Sequence, residues 1–278
     1  SNSEIQKHLY RNTINQQYQM NISGNTPFVN YYFSGGFDRS PGTLVGVKRN
    51  DRINLRSSNE FKITQKFSIE AGINYMQTNL STGNNPGLNL NAGGSKGLYP
   101  YARLVDENGN PLSIVQNYRT RFTHDATQNG LLDWNYNPIQ DITATNAKDV
   151  SKDIMLKTAL RYKIIKSLNA ELIYQYQDIS SSNNIQYGGS SYTVRDLINK
   201  FTQIDEQTGA ITRPVPLGDL MRLRNTYTKS HQGRAQLNYS QIFENGRHQI
   251  SALAGMEIKD LATTGNLAEY YGYNPMTS

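Results

Sequence analysis

The sequence contains no cysteine, which excludes a disulfide framework, a thiolate metal site and a cysteine nucleophile, and leaves the redox compartment undecided. It also lacks any apolar run approaching the ~20 residues that a membrane-crossing helix requires. Basic clusters are missing as well: the formal charge of +6 comes from Lys and Arg placed one or two at a time. That scatter argues against a nucleic-acid footprint. The opening residues Ser1-Asn2-Ser3-Glu4-Ile5-Gln6-Lys7 hold neither a basic n-region nor an apolar h-region. No signal peptide is expected in them, and an exported protein beginning here is expected to be a mature form or a piece.

What is present is a polar chain, of mean hydropathy −0.65, with 19 tyrosines and 22 glycines and with Tyr, Ile and Leu at alternating positions. Such a pattern suits strands with one apolar and one wet face. Ile14, Tyr18, Met20 and Ile22 fall on even numbers, with Asn15, Gln17, Gln19 and Asn21 between them, which is the period of a strand. After Gly24-Asn25-Thr26-Pro27 come Val29, Tyr31, Phe33, Gly35 and Phe37, and the two runs read as a hairpin.

Three more hairpins follow. The second joins Ile53, Leu55, Phe61 and Ile63 to Phe67, Ile69, Ala71, Ile73 and Tyr75 through Thr64-Gln65-Lys66. The third joins Ile154, Leu156, Leu160, Tyr162 and Ile164 to Leu168, Ala170, Leu172, Tyr174 and Tyr176 near Lys166-Ser167. The fourth joins Ala235, Leu237, Tyr239 and Phe243 to Ile250, Ala252, Ala254, Met256 and Ile258 through Glu244-Asn245-Gly246-Arg247. These strands are longer than the five or six residues, roughly, of a soluble sandwich and reach the nine to eleven or so that cross a bilayer.

Tight turns alternate with long connections at 38–50, 80–150 and 179–225, so elaboration is confined to one end of the sheet, as in bacterial barrels. Phe61, Phe67, Tyr162 and Phe243 stand beside the tight turns, where an aromatic girdle would lie, although cross-strand packing alone also accounts for them. The predicted fold is all-β: an antiparallel transmembrane barrel segment of about eight long strands, with short periplasmic turns and long extracellular loops. A soluble β-sheet domain and an independent eight-stranded barrel are the alternatives.

Several segments resemble the SusC/RagA family of TonB-dependent transporters. They are Tyr18–Asn25 followed by Asn30–Phe37, the strand Arg52–Ser58, the loop pieces Tyr99-Pro100-Tyr101 and Asp106–Pro111, then Tyr192–Phe201, Pro214–Gly218 and the last strand His248–Ile258. The resemblance runs in order over most of the chain. It implies that residues 1–278 are a fragment of a single barrel domain from the outer membrane of a Gram-negative, Bacteroidetes-like bacterium. It further implies import of oligosaccharides or peptides, a SusD-like surface lipoprotein as lid, and a TonB complex acting through a plug. The plug, the N-terminal domain, the TonB box and the closing strands are not found in this sequence, and eight strands fall well short of the family's roughly twenty-two. A lone piece of that sheet would leave unpaired edges in hydrocarbon.

Candidate binding residues lie in the long 80–150 connection, where Tyr99, Tyr101, Trp134 and Tyr136 sit among Asn and Asp. Aromatic rings flanked by amides suit sugar or peptide capture, while the same rings could instead pin the loop to the barrel rim or to a lid. A lumenal wall is predicted from the polar faces of the strands, with Arg52, Arg56, Glu70, Arg161, Glu171 and Arg234 as its charges. Mixed charge is ordinary on a wet wall, and contact with a plug or an anionic solute is the sharper reading.

Asp106, Asn108 and Asn110 alternate as a calcium loop begins, but the glycine and bidentate glutamate of an EF-hand are missing and a tight turn explains them more simply. No cofactor is expected. Val194, Leu197, Ile198 and Phe201 share a face of a predicted short helix over 192–201 that packs on another loop. His8, His124, His231 and His248 are far apart and in no metal or triad spacing, so no catalytic residue is assigned. The SusC/RagA resemblance implies a nutrient importer, with a passive porin or surface adhesin as the alternative and an outer-membrane enzyme behind both.

Overall fold

The computed structural model describes residues 2–84, 98, 101–243 and 247–277. Eight long strands form one antiparallel sheet. They are β1 (Gln16–Asn25), β2 (Val29–Arg39), β3 (Val47–Lys62), β4 (Phe67–Thr82), β5 (Thr145–Ile165), β6 (Leu168–Tyr187), β9 (Asp219–Phe243) and β10 (His248–Tyr273). Two-residue strands β7 (Gln203–Ile204) and β8 (Ile211–Thr212) pair with each other apart from it. The sheet order β1-β2-β3-β4-β5-β6-β9-β10 is that of a meander, and the sheet is open, with β1 and β10 as its edges. Helices α1 (Asn2–Leu9), α2 (Thr120–Gln128), α3 (Pro138–Thr143) and α4 (Tyr192–Phe201) precede the sheet or lie in its connections.

The tight turns are held by side chains. Thr26 Oγ1 accepts from the backbone N–H of Val29 at 2.9 Å, and Thr64 Oγ1 accepts from Phe67 at 3.0 Å. Both hydroxyls serve backbone donors that the ladder has not yet engaged. Ile63 lies beyond the end of β3 and is largely exposed. The fourth turn falls mostly outside the described residues.

Register places every predicted apolar residue of the strands on one face. Val29 lies beside Phe61, Phe61 beside Ile69, Ile69 beside Leu160, Leu160 beside Leu172, Leu172 beside Ala235 and Ala235 beside Met256. Ser57 and Asn59 interrupt this face, and they satisfy each other through an Asn59 Nδ2 to Ser57 Oγ bond of 2.8 Å. No protein covers it: Leu172 is 52% exposed and Met256 72%. A contiguous apolar surface of this size does not belong in water.

The band has fixed dimensions. Its outward positions run Val29–Phe37, Ile53–Phe61, Phe67–Tyr75, Ile154–Tyr162, Leu168–Tyr176, His231–Tyr239 and Ile250–Ile258, nine residues on each strand. The next outward residue on the loop side is polar on all seven strands: Arg39, Asp51, Gln77, Lys152, Asp178, Lys229 and Asp260.

A line drawn straight across the ladder from Phe37 passes Ile53, Gln77, Lys152, Ser180 and Tyr227 and meets β10 at Thr264. The band on β10, however, ends at Ile258, six residues nearer the tight turns after six pairings. One residue of stagger per strand, at ~3.3 Å rise against ~4.8 Å spacing, is a tilt of about 35°. Nine residues at that tilt stand roughly 22 Å tall before side-chain reach is added, close to the ~25 Å apolar band of an outer-membrane barrel.

Above the band the ladder continues. Thr82 pairs with Ala147, Thr145 with Tyr187, and Leu220 with Tyr271. The connections are accordingly shorter than the predicted 80–150 and 179–225: they span 83–144 and 188–218, and the first contracts from 38–50 to 40–46. Beyond the band both faces are wet, so alternation ceases while backbone pairing does not.

Candidate functional site

Two arrangements carry the functional candidates: the polar face of the sheet and the cap built from its connections.

On the polar face Arg161 stands among three carboxylates. Its Nε donates to Glu171 at 2.7 Å and its Nη2 to Glu70 at 2.5 Å, while Nη1 lies 3.6 Å from Glu60. Lys157 reaches Glu70 at 3.3 Å, and Asn30 and Ser68 each donate to Glu60 at 2.9 Å. The cluster crosses β2 to β6 because its members occupy neighbouring registers: Glu60 opposite both Asn30 and Glu70, and Arg161 opposite both Ser68 and Glu171. Near the other edge Arg234 pairs with Glu257 at 2.5 Å, and Arg52 pairs with Asp38 at 2.9 Å on the loop side. Arg56 makes no ion pair among the described residues and lies 5.8 Å over the ring of Tyr32. The six predicted wall charges thus share one face: Glu70, Arg161 and Glu171 form a single cluster, and Arg52, Arg56 and Arg234 stand apart from it.

Aromatics border the apolar band at both edges. Phe61, Phe67 and Tyr162 mark the tight-turn side as predicted, and Phe243 lies beyond Tyr239 there. Prediction missed the opposite border, where Tyr75 donates to Gln77 at 2.6 Å, Tyr176 to Asp178 at 3.0 Å, and Tyr174 shares a hydrogen bond of 2.8 Å with His231 Nδ1. Each ring sits in the band while its hydroxyl reaches the polar residues at the rim, the placement of an interfacial tyrosine. A tyrosine whose next outward neighbour is polar would have been the signal.

The connections interlock into a cap with its own core of Leu9, Leu104, Ile114, Ala126, Trp134, Tyr136, Ile142 and Tyr192. Trp134 and Tyr136 are each 6% exposed. Trp134 packs on Tyr118 at 4.6 Å between ring centres, and Tyr136 meets Tyr192 edge-on at 5.1 Å. Neither ring is open to a solute. Tyr101, at 92%, is fully open, and Tyr99 lies outside the described residues. The four aromatics therefore do not form one exposed patch: two are the packing that holds the cap together.

Helix α4 is the hub. Ser191 caps it by accepting from the Val194 N–H, and Val194 and Ile198 are buried as their spacing predicts, while Phe201 is exposed instead. Trp134 Nε1 donates to Asp196 at 3.0 Å. Asn199 accepts from the Leu132 N–H at 2.8 Å and donates to the Leu132 carbonyl at 2.9 Å, pairing a backbone group as a strand would. Arg195 donates to the Ser190 and Asn135 carbonyls at 3.0 and 3.1 Å, and Asp141 accepts from the Tyr192 N–H at 2.7 Å. Burial, reinforced by Asp196, pushes the Tyr192 phenol up to about 12. Burial likewise raises Tyr136, with Asp141 adding to it.

Asp106 is the bracket of a turn. Its Oδ1 accepts from the N–H groups of Asn108 and Asn110 at 2.9 and 2.8 Å, its Oδ2 from the Asn110 side chain at 2.8 Å, and Gly109 supplies the positive φ of 84°. The bonds from Asn110 hold its carboxyl below the usual range. Both oxygens of the calcium candidate are thus engaged by the turn itself. Among the described residues no group of three or more His, Asp or Glu could hold a metal.

No family model matches the sequence, and no curated protein matches it. Solved structures do. The RagAB peptide transporter superposes with a TM-score of 0.67 at 14% identity, over 97% of this chain and 27% of the other. The RagAB peptide importer in its closed-closed state gives 0.69 at 14%, over 99% and 27%, and in its open-open state 0.66 at 15%, over 97% and 26%. This chain therefore spans about a quarter of the chains that it matches. Those neighbours are transporters, and the fold of this chain is that of a stretch of a RagAB-like barrel, as its SusC/RagA resemblance implies.

Proposed function

We propose that the chain is a wall segment and part of the external cap of an outer-membrane nutrient importer that takes up peptides or oligosaccharides. The observation carrying this reading is the apolar band: nine residues on each of seven strands, a mean of one residue of stagger per pairing, with a polar, charged face behind it. Such a sheet presents hydrocarbon-compatible surface outward and a wet wall inward, and performs no bond chemistry. The cap would form part of the mouth through which cargo enters, with Tyr101 as its exposed aromatic contact, and would offer a surface to a SusD-like lipoprotein. Energy would come from a TonB complex through a plug outside this sequence.

Uptake of labelled oligopeptides and oligosaccharides by cells carrying the complete gene, with and without a proton uncoupler, tests the reading. Uncoupler-sensitive accumulation of either class supports it. Uncoupler-insensitive equilibration indicates a passive porin, and no uptake with retained surface binding indicates an adhesin.

A further inference from the structure

Within the nine-residue band the polar face holds four cations, Arg56, Lys157, Arg161 and Arg234, and four carboxylates, Glu60, Glu70, Glu171 and Glu257. They are not paired one to one. Arg161 and Lys157 share three carboxylates, leaving that cluster with one excess negative charge, and Arg234 matches Glu257. The compensating positive charge is Arg56, which touches no carboxylate among the described residues.

The cluster does not neutralise it at a distance. Glu60 is four residues along the same strand, about 13 Å away at ~3.3 Å per residue, which exceeds the ~8 Å screening length of physiological salt. Asp153, two strands away, is the one carboxylate that lines the same hollow among the described residues; it sits at the loop-side rim and accepts from the Gln177 amide, 3.0 Å from each of its oxygens.

The surroundings of Arg56 are built of donors. Ser34 and Asn74 lie directly opposite it on the two neighbouring strands, and Asn54 is two residues along its own. Among the described residues Asn74 Nδ2 finds only the Met155 thioether at 3.7 Å, a weak acceptor. Ser34 and Asn54 make no side-chain hydrogen bond among the described residues. Tyr32 supports the guanidinium from one side, and Arg56, Tyr32, Ser34, Asn54, Asn74 and Asn21 line one hollow of the wall. A guanidinium backed by a ring, with amide and hydroxyl groups on three sides and no carboxylate in ion-pair contact among the described residues, matches a planar two-oxygen acceptor.

We propose that Arg56, with Ser34, Asn54 and Asn74, is a carboxylate-binding point on the lumenal wall. Its ligand is a carboxylate carried either by a solute in the lumen or by a protein segment that fills it. This assignment rests on the reading of the polar face as the lumen of a transporter.

The test uses the complete transporter purified in detergent, with two readouts. One is affinity for a short Ala/Gly oligopeptide with a free C-terminal carboxylate against the same peptide as its amide. The other is ion conductance in a planar bilayer. If the solute supplies the carboxylate, the wild type prefers the free acid by at least tenfold, Arg56→Gln abolishes that preference, and Arg56→Lys restores part of it. If a segment within the lumen supplies it, Arg56→Gln leaves peptide binding unchanged and raises conductance by at least tenfold. Neither change overturns the assignment. Separately, Leu55→Cys reacting with a membrane-impermeant thiol reagent while Arg56→Cys does not would reverse the two faces and sink the lumen reading itself.

Discussion

Trp134 donates its indole N–H to Asp196 at 3.0 Å, tying the β4–β5 connection to the helix in the β6–β9 connection across 62 residues of chain. Asp196 also accepts from Lys200 at 2.6 Å and raises its amine above the usual range. Asp196→Ala removes a charged acceptor from a nearly buried indole. A loss of about 1.5–3 kcal/mol in cap stability is expected. Urea titration of the complete protein in detergent, read by protease cleavage within residues 130–135, reports the cap directly. An unchanged midpoint would show that the bond contributes nothing.

Asn199 closes a second link. Its amide satisfies both backbone groups of Leu132 and is itself 4% exposed. Asn199→Ala leaves an N–H and a C=O buried and unpaired at a cost of about 2–4 kcal/mol. Asn199→Asp keeps only the acceptor and sets a carboxylate against the Leu132 carbonyl. Both variants should open residues 130–135 to limited proteolysis, which the wild type resists.

Alkaline pH should loosen the cap. Tyr192 titrates near 12, against about 10 when unfolded, and Tyr136 is raised as well. A raised pKa contributes stability that is fully present below the unfolded value and is lost as pH rises through the folded one. The cap is expected to weaken between about pH 10 and 12, seen as faster hydrogen exchange of residues 130–136 in the complete protein. Tyr192→Phe, which loses only the hydroxyl and its bond from Asn117 at 3.1 Å, should flatten that pH dependence.

The two faces should tolerate charge unequally. Leu172 and Ile173 are adjacent in sequence but lie on opposite faces of β6, with Leu172 in the middle of the band. Leu172→Arg is expected to cost about 2–4 kcal/mol in a bilayer-inserted barrel and Ile173→Arg far less. Equal costs in unfolding from lipid vesicles would contradict the assignment of faces.

Within the band the strands were legible because one face meets hydrocarbon and the other water, which forces a period of two on residues such as Ile154, Leu156 and Leu160. Above it the signal vanishes: residues 219–225 alternate poorly and read as loop, yet they form the start of β9. Helix α4 was legible from Val194, Leu197 and Ile198, all packed in the cap. Helices α2 and α3 are too short, and too polar where exposed, to announce themselves. Trp134 and Tyr136 read as open rings because their neighbours in sequence are Asn and Asp. Tyr192, which meets Tyr136, and Asp196, which takes the Trp134 N–H, come from the β6–β9 connection, beyond the reach of any local pattern. The polar face was legible as a surface, but the gathering of three glutamates on Arg161 depends on register between four strands, which no single segment encodes.

The central claim is that one face of this sheet meets lipid and the other water. Single cysteines can be placed along Leu168–Tyr176 in a version of the complete protein freed of any other cysteine, in its native membrane, and probed with a charged, membrane-impermeant maleimide. The account predicts a period of two, with positions 169, 171, 173 and 175 labelled and 168, 170, 172, 174 and 176 protected until the membrane is dissolved. Uniform labelling of all nine, or protection of the odd set with labelling of the even set, would contradict it.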